Sequence, residues 1–272
     1  MRVHHLNCGT HCPLGGALFD GASRGLFGHL PTHCLLIETP SAGLVLVDTG
    51  YGLEDVRRPH ARLPLLWPAL INPRLRERDT ARRQIEALGF SARDVRHIVL
   101  THLDFDHAGG LEDFSEARVH VLAAEHAAAK ARRGFVAHQR YRVRQWDEVR
   151  EWRFYEPRGE GWHGFDAVRD LDGPPLEILM LPLRGHTLGH AGIAIQSDRG
   201  WLLHAGDAYL HSAEMASCPS CPPGLALYER IMDSDHAARR LNQQRLRDLK
   251  HANADVRVFC SHDATELAAL QR

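Results

Sequence analysis

Ten residues near the middle of the chain constrain its fold more than any others. Thr101-His102-Leu103-Asp104-Phe105-Asp106-His107-Ala108-Gly109-Gly110 sets four metal-competent side chains within six positions. Apolar Ile98-Val99-Leu100 runs straight into it and reads as a buried strand. The two glycines that follow predict a tight turn. A strand ending in a ligand-rich loop points to metal-assisted chemistry and needs a sheet edge where other loops can meet it.

Other apolar runs end in the same way. Leu44–Val47 leads to Asp48-Thr49-Gly50, Trp201-Leu202-Leu203 leads through His204-Ala205-Gly206 to Asp207, and Val256–Phe259 leads to Ser261-His262-Asp263. A fifth segment, Leu179–Leu183, leads to Gly185-His186. Each His or Asp taken singly suits an ordinary turn or cap. Their joint occurrence at strand ends defines a candidate metal set: His102, Asp104, Asp106, His107, His186, Asp207 and His262. Imidazole and carboxylate donors suit zinc, iron or manganese. Seven ligands exceed what a single zinc ion takes and match two ions sharing a bridging carboxylate.

Between these runs lie helical signals. Asp79 caps a helix running to Leu88, and Gly89 ends it. Ser91 with Asp94 forms a capping box. Ala123–Arg133 stops at Gly134, and Ser234 or Asp235 caps a long helix to about His251 with Leu241, Leu246 and Leu249 on one side. Thr265–Gln271 closes the chain as a helix. Further strands are expected at Cys34–Glu38, Val119–Leu122 and Gly192–Gln196. Two excursions interrupt the alternation. Residues 51–78 carry four prolines and Trp67, and residues 135–175 carry Trp146, Trp152, Trp162, Phe154, Tyr155 and Phe165. Long loops of this kind wall a pocket or pack on the surface. Leu65, Leu66 and Trp67 suit a pocket wall or a dimer interface, leaving monomer and homodimer both open.

A net charge of −1 gives no field favouring nucleic acid or an anionic membrane. No run of about 18 apolar residues reads as a membrane span. The start Met1-Arg2-Val3-His4-His5 lacks the apolar segment of a signal peptide, so a cytoplasmic location with reduced thiols is expected. Cys218-Pro219-Ser220-Cys221 has redox or zinc spacing but no second pair, and reads as structural, as do Cys8 and Cys12.

The ordered set His102-x-Asp104-x-Asp106-His107, His186, Asp207 and His262, with Asp48 at an early strand end, resembles the metallo-β-lactamase-fold hydrolases. The resemblance spans about residues 32–263. It implies an α/β fold, an αββα four-layer sandwich occupying residues 1–272 as one domain, with a dinuclear site at one edge between two sheets. Gly185-His186-Thr187-Leu188-Gly189-His190 and Ser261-His262-Asp263 are similar to motifs of the acyl-homoserine lactonase group. Asp104 departs from the family, which has histidine there. As the resemblance assigns them, His102, Asp104 and His186 hold the first ion, Asp106, His107 and His262 the second, and Asp207 bridges. Zinc is the expected metal; the extra carboxylate of Asp104 brings iron or manganese into play, unless it swings away and leaves the first position weak.

What this implies is a hydrolase with two divalent metal ions that opens an ester, a lactone before others, in a small substrate with an apolar portion. Asp106 is the candidate proton donor, and Tyr209, just after Asp207, the candidate oxyanion partner. Asp48 orients a ligand from behind. The alternatives are a glyoxalase II-like thioester hydrolase, with Arg140, Arg142, Arg144 and Arg150 as an anion patch, and a non-catalytic metal-binding sensor.

Overall fold

The computed structural model of the chain describes residues 1–64, 66, 70–157, 161–168 and 171–272. Strands β1 (Arg2–His11), β2 (Leu30–Glu38), β3 (Leu44–Val47), β4 (Pro73–Arg74), β5 (Val95–Val99), β6 (Arg118–Leu122) and β7 (Trp152–Tyr155) form one sheet, ordered β4-β1-β2-β3-β5-β6-β7. The hairpin β8 (Gly161–Trp162) and β9 (Phe165–Asp166) stands apart. A second sheet comprises β10 (Ile178–Pro182), β11 (Ala191–Ser197), β12 (Gly200–His204) and β13 (Val256–Phe259), in that order.

Alternating side chains of these strands build three apolar layers. Leu35, Ile37, Val45, Val47 and Val99 of the first sheet meet Ile178, Met180, Ile193, Ile195 and Phe259 of the second. Leu36, Leu46 and Ile98 point the other way, onto Ile85 of α1 (Ala81–Ala87) and Ala129 of α2 (Ala123–Ala131). Leu179, Leu181, Leu203 and Val258 pack on Leu246 and Leu249 of α5 (His236–Ala252); further helices are α3 (Phe135–Arg140), α4 (Pro223–Met232) and α6 (Ala264–Leu270). The result is an αββα sandwich. Strands apolar on both faces are what this burial requires.

Strand direction places the site. β1 and β3 both run antiparallel to β2, and β3 is parallel to β5. β10 and β12 both run antiparallel to β11, and β12 is parallel to β13. The carboxyl ends of β1, β3 and β5 therefore leave one edge, as do those of β10, β12 and β13. Backbone bonds from His33 N to Ser261 O (2.9 Å) and Ala191 N to Thr101 O (2.8 Å) join the two edges.

The structure corrects several expectations. α1 is capped by Thr80, whose hydroxyl accepts from Arg83 N, because Asp79 lies in a preceding 3₁₀ turn. Asp235 caps α5, whose buried side includes Leu246 and Leu249, but Leu241 is 62% exposed. Most of the second excursion's aromatics pack in cores behind the sheets, Phe154 staying exposed: Trp146 and Trp152 gather on His126, and Trp162 packs on Trp201. Leu66 is exposed, whereas Leu65 and Trp67 lie outside the described residues. No described helix is long and apolar enough to cross a membrane.

Candidate metal centre

Asp48 leaves β3 with φ +55°, a left-handed conformation in which Asp is tolerated better than most residues. Its carboxylate accepts from Thr101 N (2.8 Å), Thr101 Oγ1 (2.7 Å) and His107 Nδ1 (2.9 Å). Thr49 N and Oγ1 both donate to His107 O at 2.8 Å, which clamps the ligand loop onto the Asp48 turn. A Cβ on Gly109 would lie 2.2 Å from Asp55 Oδ2, so only glycine allows this approach. Glu125 secures the other side: it accepts from Leu103 N (3.0 Å), Thr187 Oγ1 (2.6 Å) and Gly189 N (3.1 Å), tying the His102 loop to the His186 loop.

All of His102, Asp104, Asp106, His107, His186, Asp207 and His262 come together in one buried cluster. His107 Nε2 is 3.4 Å from Asp207 Oδ1 and 3.7 Å from Asp106 Oδ2; His262 Nε2 is 3.2 Å from Asp207 Oδ2 and 3.6 Å from Asp106 Oδ2. The outer nitrogen of each ring is committed. His262 Nδ1 donates to Pro31 O at 2.7 Å, and His107 Nδ1 faces Asp48. In the neutral rings the inner Nε2 atoms are therefore bare acceptors turned toward carboxylates. Acceptors facing one another are repulsive until a cation lies between them. His102 Nε2, His107 Nε2 and Asp207 Oδ1 are buried without a hydrogen-bond partner. Burial opposes charge on His107, yet Asp207, Asp106 and Asp48 outweigh it and raise its pKa well above the usual range, a measure of how strongly this point attracts positive charge. The donor set fits a divalent metal ion, with His107, Asp207 and His262 converging within 4.8 Å and Asp106 beside them.

On the other side, His102, His186 and Asp207 also converge within 4.8 Å. Asp104 lies among them, 3.1 Å from His186 Nε2 and 3.5 Å from His102 Nε2, but its oxygens face Arg140: Nε to Oδ1 and Nη2 to Oδ2, both 2.7 Å. Burial works against the Asp104 carboxylate, and Arg140 overrides it, holding its pKa well below the usual range.

The sequence profile of the metallo-beta-lactamase superfamily matches residues 27–262, most of the chain. This chain is a member of that superfamily. A probable metallo-hydrolase of Mycobacterium tuberculosis is 39% identical over 264 residues, covering 97% of this chain and 80% of its own. An N-acyl homoserine lactonase of Bacillus cereus is 26% identical over 202 residues, 70% of this chain and 71% of its own. Among solved structures, an N-acyl homoserine lactone hydrolase with N-hexanoyl-L-homoserine at its catalytic metal centre superposes with a TM-score of 0.74 at 21% identity, over 98% of this chain and 95% of that one. Members of this superfamily use divalent metals, and this one is a metallo-hydrolase by family.

Within this metallo-beta-lactamase member, three further residues at the site lie outside the candidate ligand set. His11, at the end of β1, lies 3.4 Å from Asp106 Oδ2 and 2.9 Å from Tyr51 Oη. Arg140 arrives on the second excursion. His190 accepts from Asp207 N at 2.9 Å and so positions Asp207. Tyr209 does not reach the cluster: it is fully buried in the outer core of the second sheet, with its hydroxyl donating to Glu266 at 3.0 Å. A phenol beside the site is Tyr228 on α4, which lines an apolar cleft with His11, Pro13, Phe19, Leu30, Ile71, Leu210, Leu225 and His262. Burial, then the charges of Asp106, Asp104 and Asp207, keep the Tyr228 hydroxyl protonated. The cysteines are all unpaired, with Cys218 exposed and Cys221 half-buried 3.9 Å from Glu229.

Proposed function

We propose that this chain hydrolyses an ester bond with a divalent metal ion, zinc before iron or manganese, and that the ester is a lactone carrying an apolar group. The observation that carries the reading is the convergence of two imidazole nitrogens, His107 Nε2 and His262 Nε2, on the buried carboxylates of Asp106 and Asp207. A divalent ion in such a cradle brings the pKa of a water toward neutrality and polarises a carbonyl. The chain's own groups supply the rest. Asp48 and Pro31 O hold the two rings in the ligating tautomer. Tyr228 offers its hydroxyl proton to oxygen charge developing at the carbonyl. Asp106, beside the ion, is the carboxyl placed to pass a proton to a leaving alkoxide. The cleft of Phe19, Leu30, Ile71, Leu210 and Leu225 suits an acyl chain. The Bacillus relatives named as N-acyl homoserine lactonases support the lactone over other esters.

Two of the four arginines offered for a thioester substrate's anion are engaged within the protein. Arg140 is buried against Asp104, and Arg142 donates to Arg62 O at 3.0 Å.

The test is acid release from acyl-homoserine lactones and simple γ-lactones, with protein reconstituted separately with zinc, manganese or iron and Asp207→Ala as blank. Metal-dependent release absent from the blank is expected. Release only from S-lactoylglutathione would move the assignment to thioesters. Silence on both substrate classes with metal bound would favour the sensor.

A further inference from the structure

The first metal position of the family pattern is His102, Asp104 and His186, with Asp207 shared. In this chain a side-chain cation already lies there. Arg140 is 1% exposed, and its Nη2 is 2.7 Å from both Asp104 Oδ2 and His186 Nε2. A guanidinium nitrogen has only hydrogens to give, so His186 Nε2 is the acceptor and its lone pair is occupied. The remaining donors are committed as well: Nε to Asp104 Oδ1 at 2.7 Å, and Nη1 to the carbonyls of His186 and Met232, both at 2.9 Å. All five N–H groups have partners, and the fork lies bidentate on the carboxylate. Such a guanidinium has no hydrogen left for a substrate anion. It is a fixed charge built into the centre.

We propose that the Arg140 guanidinium takes the place of the first metal ion, so that the centre is mononuclear, with its one ion held by Asp106, His107, Asp207 and His262. Asp104 is then the counter-ion of an arginine, which accounts for aspartate where the family has histidine: histidine offers no bidentate anion for a guanidinium. With Asp104 and His186 engaged, the first position retains His102 and Asp207, fewer than the three protein ligands of a catalytic zinc site. The long excursion over residues 135–175 acquires a role as well, since α3 carries Arg140 into the sheet edge.

The inference rests on the metal-dependent reading above only in that one ion binds. Its test is metal content and location in the whole protein. Wild type is loaded with excess zinc, desalted and analysed, and its crystals are measured at the zinc edge. About one zinc per chain is expected, at Asp106, His107, Asp207 and His262. The double variant Asp104→His with Arg140→Met removes the buried pair together and is expected to bind about two. Two zinc ions in wild type, with anomalous signal between His102 and His186, would overturn the inference and leave the hydrolase reading intact. No zinc at any loading would overturn both. The wild-type measurement decides the point even where the variant fails to fold.

Discussion

The Asp48 carboxylate accepts from His107 Nδ1 at 2.9 Å, and this contact decides which nitrogen of His107 faces the cluster. Asp48→Asn keeps a residue that tolerates φ +55° but removes the charge. The chain should fold, and its metal affinity should fall roughly 10–100-fold, as when such supporting carboxylates are lost elsewhere. Competition with a chromophoric chelator measures it. Unchanged affinity would mean that the contact does not orient the ligand.

Two tyrosines separate sequence proximity from spatial proximity. Tyr209 follows Asp207 closely in the chain, but its hydroxyl lies on Glu266. Tyr228, twenty-one positions after Asp207, lines the cleft beside His262. Tyr209→Phe should leave turnover within about twofold and cost about 1 kcal/mol of stability. Tyr228→Phe should lower kcat by about tenfold or more with the metal content unchanged. Steady-state kinetics on the two purified variants distinguishes them; the reverse ranking would restore Tyr209 to the site.

The parts of this molecule legible in the sequence are those with period and position. Continuous apolar runs such as Leu44–Val47 and Val256–Phe259 mark strands buried on both faces, and the polar residue at each end marks the edge where they converge. β1 escaped this reading because Arg2–His11 mixes His4, His5 and Asn7 into its alternation. Its last residue, His11, follows the same strand-end rule as Asp48 and was hidden with it. In the sequence Arg140 reads only as one of four arginines of an anion patch, not as a partner of Asp104. It belongs to a six-residue helix in an irregular stretch, and only the tertiary approach of α3 to Asp104 gives it meaning. Periodicity alone puts Leu241 inward, but an amphipathic stripe does not say where the neighbouring sheet ends.

Glu125 is the joint between two ligand loops. Replacing it with alanine leaves the buried donors Leu103 N, Thr187 Oγ1 and Gly189 N without an acceptor. Glu125→Ala should lower stability by roughly 2–4 kcal/mol. Urea denaturation of metal-free protein checks this; a loss below 0.5 kcal/mol would show that water replaces the carboxylate at about equal worth.

Acid sensitivity should arise away from the metal centre too. His120 is fully buried, with Nδ1 2.8 Å from Tyr155 Oη and Nε2 3.0 Å from His97 Nδ1. Burial, then the neighbouring His97, lowers its pKa to about 3, against an ordinary value of 6.5. The unfolded chain therefore takes up a proton below pH 6.5 that the folded chain refuses. The stability from this residue is complete above pH 6.5 and declines as pH falls toward 3, by up to about 1.4 kcal/mol per pH unit. In His120→Gln the slope of unfolding free energy against pH should flatten over this window. An unaltered slope would place the acid sensitivity elsewhere.

We propose above that a metal ion bound between the two sheets performs the hydrolysis. Chelator-stripped protein titrated with zinc, with bound metal and lactone ring opening followed in the same samples, tests it most directly. Turnover should be absent at the start, rise in proportion to bound zinc, reach its plateau at about one equivalent, and be lost in Asp207→Ala. Ring opening by the stripped protein, or by Asp207→Ala at the wild-type rate, would contradict the account.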